Sequence, residues 1–223
     1  MEVSFSDEIR AAAPDLKVMV VEAEVSNAPT GDELWAELTQ ACSELAAMPM
    51  EAVNKRPAVA ATRAAYKALG KDPNRYRPSA EALTRRAVKG LELYRTTALV
   101  DLINLLSLRS GHSIGGFDAD AVSGPSICLG RGRAGEPYEA IGRGMLNIDG
   151  LPVWRDAVGG IGTPTSDNDR TKMSPATGRL LMTVNMYGPS EMSEADFEAL
   201  MTRLLEQYAS ARHIVVNTYS PLG

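Results

Sequence analysis

The first half of the chain places apolar residues at helical spacing, after one apolar strand. Residues 16–25 (LKVMVVEAEV) are β-branched and apolar, which predicts a strand. Thr30 and Glu33 have the spacing of a capping box, and apolar positions then recur every three or four residues. We therefore expect a helix from this box to about Ala47. A second, Ala-rich helix is predicted over residues 57–69.

A link with two prolines, residues 71–78 (KDPNRYRP), separates the Ala-rich helix from two others and predicts a turn or extended segment. We expect Ser79 to cap a short helix that ends at about Lys89. The following helix, over residues 97–109, is apolar almost all round, which is typical of a buried helix.

Three polar residues interrupt the apolar surface of the helix over residues 97–109. Asp101, Asn104 and Ser107 recur every three residues, so they lie on one side of the helix. Buried polar groups need hydrogen-bond partners. These side chains therefore either brace a loop or line a pocket.

The second half of the chain alternates short apolar runs with Gly-rich turns, which predicts a β-rich region. Ser193 and Asp196 have the spacing of a capping box and precede an amphipathic helical pattern. Without a repeat or a convincing linker, one α+β domain over residues 1–223 is the simplest prediction. The candidate strands are residues 126–130, 138–141, 152–156, 179–186 and 213–218.

The composition is that of a soluble globular protein, with 44% hydrophobic and 23% charged residues. No apolar run is long enough for a membrane helix, and the N-terminal sequence lacks the features of a secretion signal. Cys42 and Cys128 have neither disulfide nor metal spacing, so we expect them to be buried fillers. The sequence thus predicts a cytoplasmic protein without a metal, a cofactor or a membrane partner.

The net charge of −5 hides a strongly basic block. Residues 54–95 carry eleven Lys and Arg against three acids, a net charge of +8, which leaves −13 for the remainder. Such a block is typical of a surface that docks a polyanion, although two solvated helix faces explain it equally well. The candidate cations are Arg75, Arg77, Arg85, Arg86 and Lys89.

Two segments carry candidate chemistry. In the first, Gly111, Gly115 and Gly116 surround His112, so a backbone could approach a ligand beside a group that titrates near neutrality. The second, residues 156–171, is dense in hydrogen-bonding groups. A tight helix-to-strand connection and ordinary turn chemistry are the alternatives. Phosphate-binding loops, metal motifs and nucleophile elbows are absent.

Three stretches together resemble the B3/B4 domain family, which includes the editing domain of the phenylalanyl-tRNA synthetase beta subunit. Residues 71–90 contain R-P-S-x-E-A-L-x-R-R, residues 99–120 contain V-D-x-x-N followed by G-F-D, and residues 162–171 read GTPTSDNDRT. The resemblance extends over about residues 52–187. It implies a β-sandwich-like core with flanking helices.

The family resemblance also implies an activity and a pocket. In the synthetase, the domain hydrolyses the ester between tRNA and a wrongly attached amino acid. By position, the catalytic candidates are Asn104, His112 and Asp167. The basic block would hold tRNA phosphates, and backbone amides near Gly115–Gly116 or residues 160–163 would stabilise the oxyanion. The substrate-binding candidates are Ser113, Gly115, Gly116, Gly160, Thr163, Thr165, Ser166 and Arg170.

The chain departs from the synthetase pattern at two positions. Gly115 stands where a His precedes the G-F-D element, and Ile103 stands where Thr precedes the Asn. Nothing resembles the other domains of the subunit, so we expect a free-standing member that does not activate phenylalanine. The S-D-x-x-R-T element beginning at Ser166 fits free-standing relatives.

The main hypothesis is a trans-acting deacylase of mischarged aminoacyl-tRNA, with tRNA and an amino-acid moiety as partners and no DNA. The first alternative is a non-catalytic module that binds tRNA or an amino acid. The second is a hydrolase of simple amino-acid esters. The amino acid, the tRNA and the oligomeric state stay open at this point.

Overall fold

The computed structural model describes residues 1–222. The helices in this range are α1 (Asp7–Ala12), α2 (Asp32–Ala46), α3 (Pro57–Ala68), α4 (Ser79–Val88), α5 (Ala98–Ser110) and α6 (Glu194–Ala209). The strands in order are β1 (Glu2–Phe5), β2 (Lys17–Glu24), β3 (Ile114–Asp118), β4 (Ser126–Arg131), β5 (Glu139–Ala140), β6 (Gly144–Met145), β7 (Pro152–Arg155), β8 (Gly160–Gly162), β9 (Arg179–Met186) and β10 (Arg212–Tyr219). Across the described range, every helix is too short or too polar to cross a membrane.

Two four-stranded sheets form the frame. The central sheet has the order β10-β2-β9-β3 and is antiparallel throughout. The outer sheet has the order β1-β4-β7-β8, in which β1 pairs with β4 in parallel and the other pairs are antiparallel. Strands β5 and β6 form a separate short hairpin.

The central sheet is buried on both faces. Along β2, Val18 and Val20 join the apolar cluster against the outer sheet, whereas Met19 and Val21 join the cluster formed with the helices. A strand covered on both sides needs apolar residues at successive positions, which explains the continuous run in this sequence. The layers are outer sheet, central sheet and helices α2, α5 and α6, which confirms the α+β prediction with a sandwich-like core.

Helix α5 is the buried helix that the sequence predicted, and its polar residues divide between the two expected roles. Asp101 is fully buried and accepts hydrogen bonds from the Thr30 hydroxyl (2.5 Å) and the Thr96 amide (2.9 Å). It therefore braces the loops before α2 and α5. Asn104, one turn later, is half-buried and faces a cavity.

Ion pairs and hydrogen bonds of buried charged side chains hold helix α4 in place. The fully buried Glu81 carboxylate accepts from Arg63 of α3 and from Arg85 one turn along α4, both at 2.8 Å. The buried Arg56 at the start of α3 donates to the Thr84 hydroxyl (2.7 Å) and to the Leu108 carbonyl (2.8 Å). These contacts fix α4 against α3 and α5.

Two of the three predicted caps are wrong, although the helices themselves are confirmed. Helix α2 begins after Gly31, because the hydroxyl of Thr30 is used by Asp101. Helix α4 begins after Pro78, and the Ser79 amide donates to a carbonyl in the loop after β8. The Ser193 cap of α6 is confirmed, since its hydroxyl accepts from the amide three residues later (3.1 Å).

Gly111 ends α5 in a turn as expected, but the other glycines that were expected in turns lie in strands. Gly115 and Gly116 are in β3, paired with β9, and residues 160–162 form β8. A Cβ at Gly115 or Gly162 would lie within 2.7 Å of the buried Phe117 ring. The missing side chains therefore make room for an aromatic core residue. The sequence did not predict β1, β3, β6, β8 or the short helix α1.

We expect Glu81→Gln to lower the free energy of unfolding by about 3 kcal/mol, because two arginines would lose their shared buried counter-charge. Urea unfolding monitored by circular dichroism measures the effect. The matched control is Glu92→Gln, which changes an exposed acid near the same helix and should stay within about 0.5 kcal/mol of wild type. Equal unfolding midpoints for the two variants would contradict the role assigned to Glu81.

Candidate functional site

A cavity of about 450 Å³ opens between α4, α5 and the turn of the β5–β6 hairpin. Five of the side chains around it are basic and none is acidic. We call it the cationic cavity. Its lining consists of Arg77, Ser79, Ala82, Leu83, Arg85, Arg86, Lys89, Leu91, Asn104 and Arg143.

Two separate parts of the chain supply the cations. Arg85 and Arg86 lie in the last turn of α4, and Lys89, which ends the helix, follows them by four and three residues and so lies on the same side. Arg143 reaches the cavity from the hairpin, in a turn where Gly142 has a φ of +67°. This conformation favours glycine and lets the hairpin turn sharply beneath Arg143.

The cationic cavity keeps most of its charge uncompensated. Arg85 is paired with Glu81, and Arg86 donates to the backbone carbonyl of Glu92 (2.7 Å) rather than to a carboxylate. Within residues 1–222, neither Arg86 nor the exposed Arg77, Lys89 and Arg143 forms an ion pair. Four cations that face one cavity without acids create a positive potential that attracts a polyanion.

Asn104 is an uncharged polar group with free hydrogen-bonding capacity in this cavity. It projects from the rigid, buried helix α5 and is half-buried. Among the described residues its side-chain amide has no hydrogen-bond partner, so both its NH2 group and its carbonyl oxygen are available. This position suits the orientation of a bound polar group.

Asp167 does not line the cavity, but its backbone carbonyl accepts a hydrogen bond from the Ile141 amide (3.0 Å) in the hairpin turn that carries Arg143. The Oδ2 of Asp167 accepts a hydrogen bond from the Gly116 amide (3.2 Å), and Gly116 packs on Ile103, the neighbour of Asn104. Burial raises the pKa of Asp167 to about 7, against the opposing effect of the Gly116 hydrogen bond. A carboxyl with this pKa accepts or releases a proton near neutrality.

The hydroxyl side chains near Asp167 hold their own loop. The Thr163 hydroxyl accepts from the amides of Thr165 (3.1 Å) and Ser166 (3.0 Å) and donates to the Ser166 carbonyl. Thr165 shares a hydrogen bond with the buried Tyr66 hydroxyl (2.9 Å), and Tyr138 donates to the Ser166 carbonyl (2.7 Å). These contacts position the segment that presents Asp167.

Other substrate-binding candidates have internal partners as well. The Ser113 hydroxyl accepts from the Ala80 amide at the start of α4 (3.3 Å). Arg170 forms a two-pronged ion pair with Asp156, at 2.9 and 2.8 Å, and lies outside the cationic cavity. Gly160 is buried in β8 against the ring of Tyr138.

His112 is separated from the other two catalytic candidates. It is buried beside a different cavity of about 270 Å³, near the start of α6, and its ring meets Phe197 edge-on. Burial lowers the pKa of His112 to about 4, so the expectation that it titrates near neutrality is wrong. The structure therefore places His112 and Asn104 at different cavities, and Asp167 lines neither of them.

Four of the five predicted cations line the cationic cavity. The exception is Arg75, which is exposed and lies 5.7 Å from the ring centre of Tyr76. Sequence reasoning missed Arg143, because it lies far from the basic block, in a segment (residues 131–156) whose four arginines are balanced by four acids. Only the packing of the hairpin against α4 brings it to the site.

A sequence model of the B3/4 domain family matches residues 61–206. Among solved structures, the chain is similar to an N-terminal fragment of the phenylalanyl-tRNA synthetase beta-subunit from Pyrococcus horikoshii, with 12% sequence identity and a TM-score of 0.46. The similarity covers 96% of this chain and 50% of that chain, so this chain spans about half the length of the fragment. No curated protein sequence matches it.

We expect Asp167→Asn to gain stability relative to wild type as the pH rises. An acid with a raised pKa binds more protons in the folded than in the unfolded protein between about pH 4 and 7, so wild-type stability falls across this range. The asparagine variant lacks this fall, so its free energy of unfolding relative to wild type should rise by about 2 kcal/mol between pH 5 and 8. Urea unfolding at both pH values measures the difference.

His112→Gln is the control with the opposite sign. The unfolded chain binds more protons at His112 between pH 4 and about 6.5, so wild-type stability falls as the pH is lowered through this range. The glutamine variant should lack this acid-side loss. Asp167→Asn and wild type differing by the same free energy at both pH values would refute the raised pKa of Asp167.

Proposed function

The chain belongs to the B3/4 domain family, and from this premise we propose that it binds the aminoacylated 3′ end of a tRNA in the cationic cavity and hydrolyses the ester of a wrongly attached amino acid. The observation that carries the proposal is the cavity itself. Four unpaired cations and no acid surround a space of about 450 Å³. Cations in this number suit the phosphates of an RNA strand.

The proposed reaction is an attack of water on the ester carbonyl. Asp167 accepts a proton from this water, directly or through a second water, and the bond from the carbonyl carbon to the ribose oxygen breaks. The ribose oxygen takes up a proton, which leaves a free amino acid and an uncharged tRNA. The raised pKa of Asp167 supports its role as the base.

Asn104 is proposed to orient the ester. Its amide has no partner within the described part of the chain, and it lies on the wall of the cationic cavity. The amide of Gly116, an earlier candidate for the oxyanion site, is bonded to Asp167. A donor on Asn104 therefore fits the carbonyl oxygen better than the Gly116 amide does.

Two observations favour a second candidate, a non-catalytic module that binds tRNA or an amino acid. His112 faces another cavity, and the Gly116 amide is already engaged. The cationic cavity needs neither group in order to hold an RNA. This candidate predicts tRNA binding without turnover.

Binding of tRNA should depend steeply on salt, and the dependence should come from the cationic cavity. The triple variant Arg77→Gln, Lys89→Gln and Arg143→Gln should reduce the slope of log affinity against log salt concentration by about 2. Filter binding at several salt concentrations measures it. The control is Arg133→Gln, an exposed cation that lines a different cavity and should leave the slope nearly unchanged. Equal slopes for both variants would count against the cavity.

Hydrolysis is tested with a panel of mischarged aminoacyl-tRNAs, by following release of the amino acid. We expect Asn104→Ala and Asp167→Ala to reduce the rate at least ~100-fold, because both groups act on the reacting ester, while tRNA affinity stays within about twofold. The wild-type rate should rise with pH and level off above about pH 7, as Asp167 ionises.

Asp169→Asn is the matched control for this panel, since Asp169 lies in the same loop but pairs with Lys172. It should retain wild-type activity. Full activity in both the Asn104 and Asp167 variants would refute the assigned residues. No release from any tRNA, with tRNA still bound, would establish the non-catalytic candidate instead.

A further inference from the structure

Tyr94 is a large aromatic side chain that the fold leaves in solvent, with 75% of its surface exposed. The Arg86 guanidinium lies over its ring, 4.6 Å from the ring centre. Arg86 is itself fixed, because it donates to the Glu92 carbonyl (2.7 Å). The ring is thus held on one side by a cation, and most of its surface stays accessible.

The Tyr94 ring is continuous with the cationic cavity. Arg86 lines that cavity and also contacts the ring. Leu91, which is 49% exposed, lines the cavity and, on its other side, an apolar groove beside Trp35. We call Arg86, Leu91 and Tyr94 the Tyr94 surface. On this surface, the exposed side chains of Tyr94 and Leu91 lie next to the cations of the cationic cavity.

Tyr94 differs in this respect from the other aromatic residues that contact cations nearby. Tyr76 is half-buried, and the Lys71 ammonium lies 3.7 Å from its ring centre. Trp35 is also half-buried, with Arg95 at 5.8 Å. Tyr94 therefore has more ring area available to a partner than either of them.

The combination of cations and an open aromatic ring matches unpaired nucleotides. Phosphates bind the cations, and each base offers a flat face that stacks on an aromatic ring or on a guanidinium. In a duplex the bases are already stacked and cannot reach the ring. An acidic peptide would satisfy the cations but would leave the ring without a flat partner.

We propose that the Tyr94 surface stacks a nucleobase of a single-stranded RNA segment whose phosphates lie in the cationic cavity. The inference rests on the proposed function insofar as the cavity binds RNA phosphates. It narrows the ligand to unpaired nucleotides and assigns base contacts to Tyr94, Arg86 and Leu91.

The test measures binding of three probes by fluorescence anisotropy. They are a single-stranded RNA of about six nucleotides, the same backbone with abasic positions, and a duplex of equal length. Wild type should bind the single strand at least about tenfold more tightly than the other two. Tyr94→Ala should lose about tenfold in affinity for the single strand and should be unchanged for the abasic strand.

Tyr94→Trp should keep the affinity for the single strand, because it preserves a stacking surface. Since Tyr94 is exposed, its variants should fold, and equal urea midpoints would verify this. The double variant Arg77→Gln and Lys89→Gln should lower the affinity for all three probes by the same factor. This result separates the contribution of phosphate contacts from that of stacking.

Three outcomes overturn the inference. If wild type bound all three probes with equal affinity and Tyr94→Ala did not change it, the stacking role of Tyr94 would be refuted. The proposed binding of phosphates in the cationic cavity would stand. An equal loss for all three probes in Tyr94→Ala would assign Tyr94 to structure or charge placement. No binding of any RNA by wild type would overturn the RNA cavity together with the stacking surface.

Discussion

The buried carboxylate of Glu81 is the interaction on which the cationic side of the molecule depends. It lies within 2.8 Å of Arg63 from α3 and of Arg85 from α4 and is closed off from solvent. Buried charges are tolerated only when they are paired, so Glu81 and its two arginines fix the position of α4 against α3. Because α4 is fixed, Arg86 and Lys89 face the cavity.

The doubly covered central sheet sets the second constraint. Helix α5 packs on one face of it, which directs Asn104 towards α4, and the outer sheet covers the other face. Gly115 in the edge strand β3 admits the Phe117 ring, while the Gly116 amide meets Asp167. The orienting candidate therefore comes from a buried helix, whereas the base candidate comes from a loop that is hydrogen-bonded to the edge strand.

The polar residues of the molecule divide into those that build the site and those with free capacity. Internal hydrogen bonds occupy the hydroxyls of Thr163 and Thr165, in the loop, and of Ser113, which accepts from an amide at the start of α4. The unpaired cations, Asn104 and Tyr94 have capacity left for a ligand. The side chains with free capacity at this site are therefore mostly cationic or aromatic.

The sequence by itself determined features that depend on neighbouring residues: the period of the helices, the apolar run of β2, the Ser193 cap and the excess of cations over residues 54–95. Only the tertiary structure decided that β1 pairs with β4 and β3 with β9, and that the Thr30 hydroxyl donates to Asp101. It also decided that His112 lines a separate cavity and that Arg143 lines the cationic cavity. The reason is physical. Propensity and periodicity act over a few residues, whereas burial, strand pairing and the positions of charges depend on segments far apart in the chain.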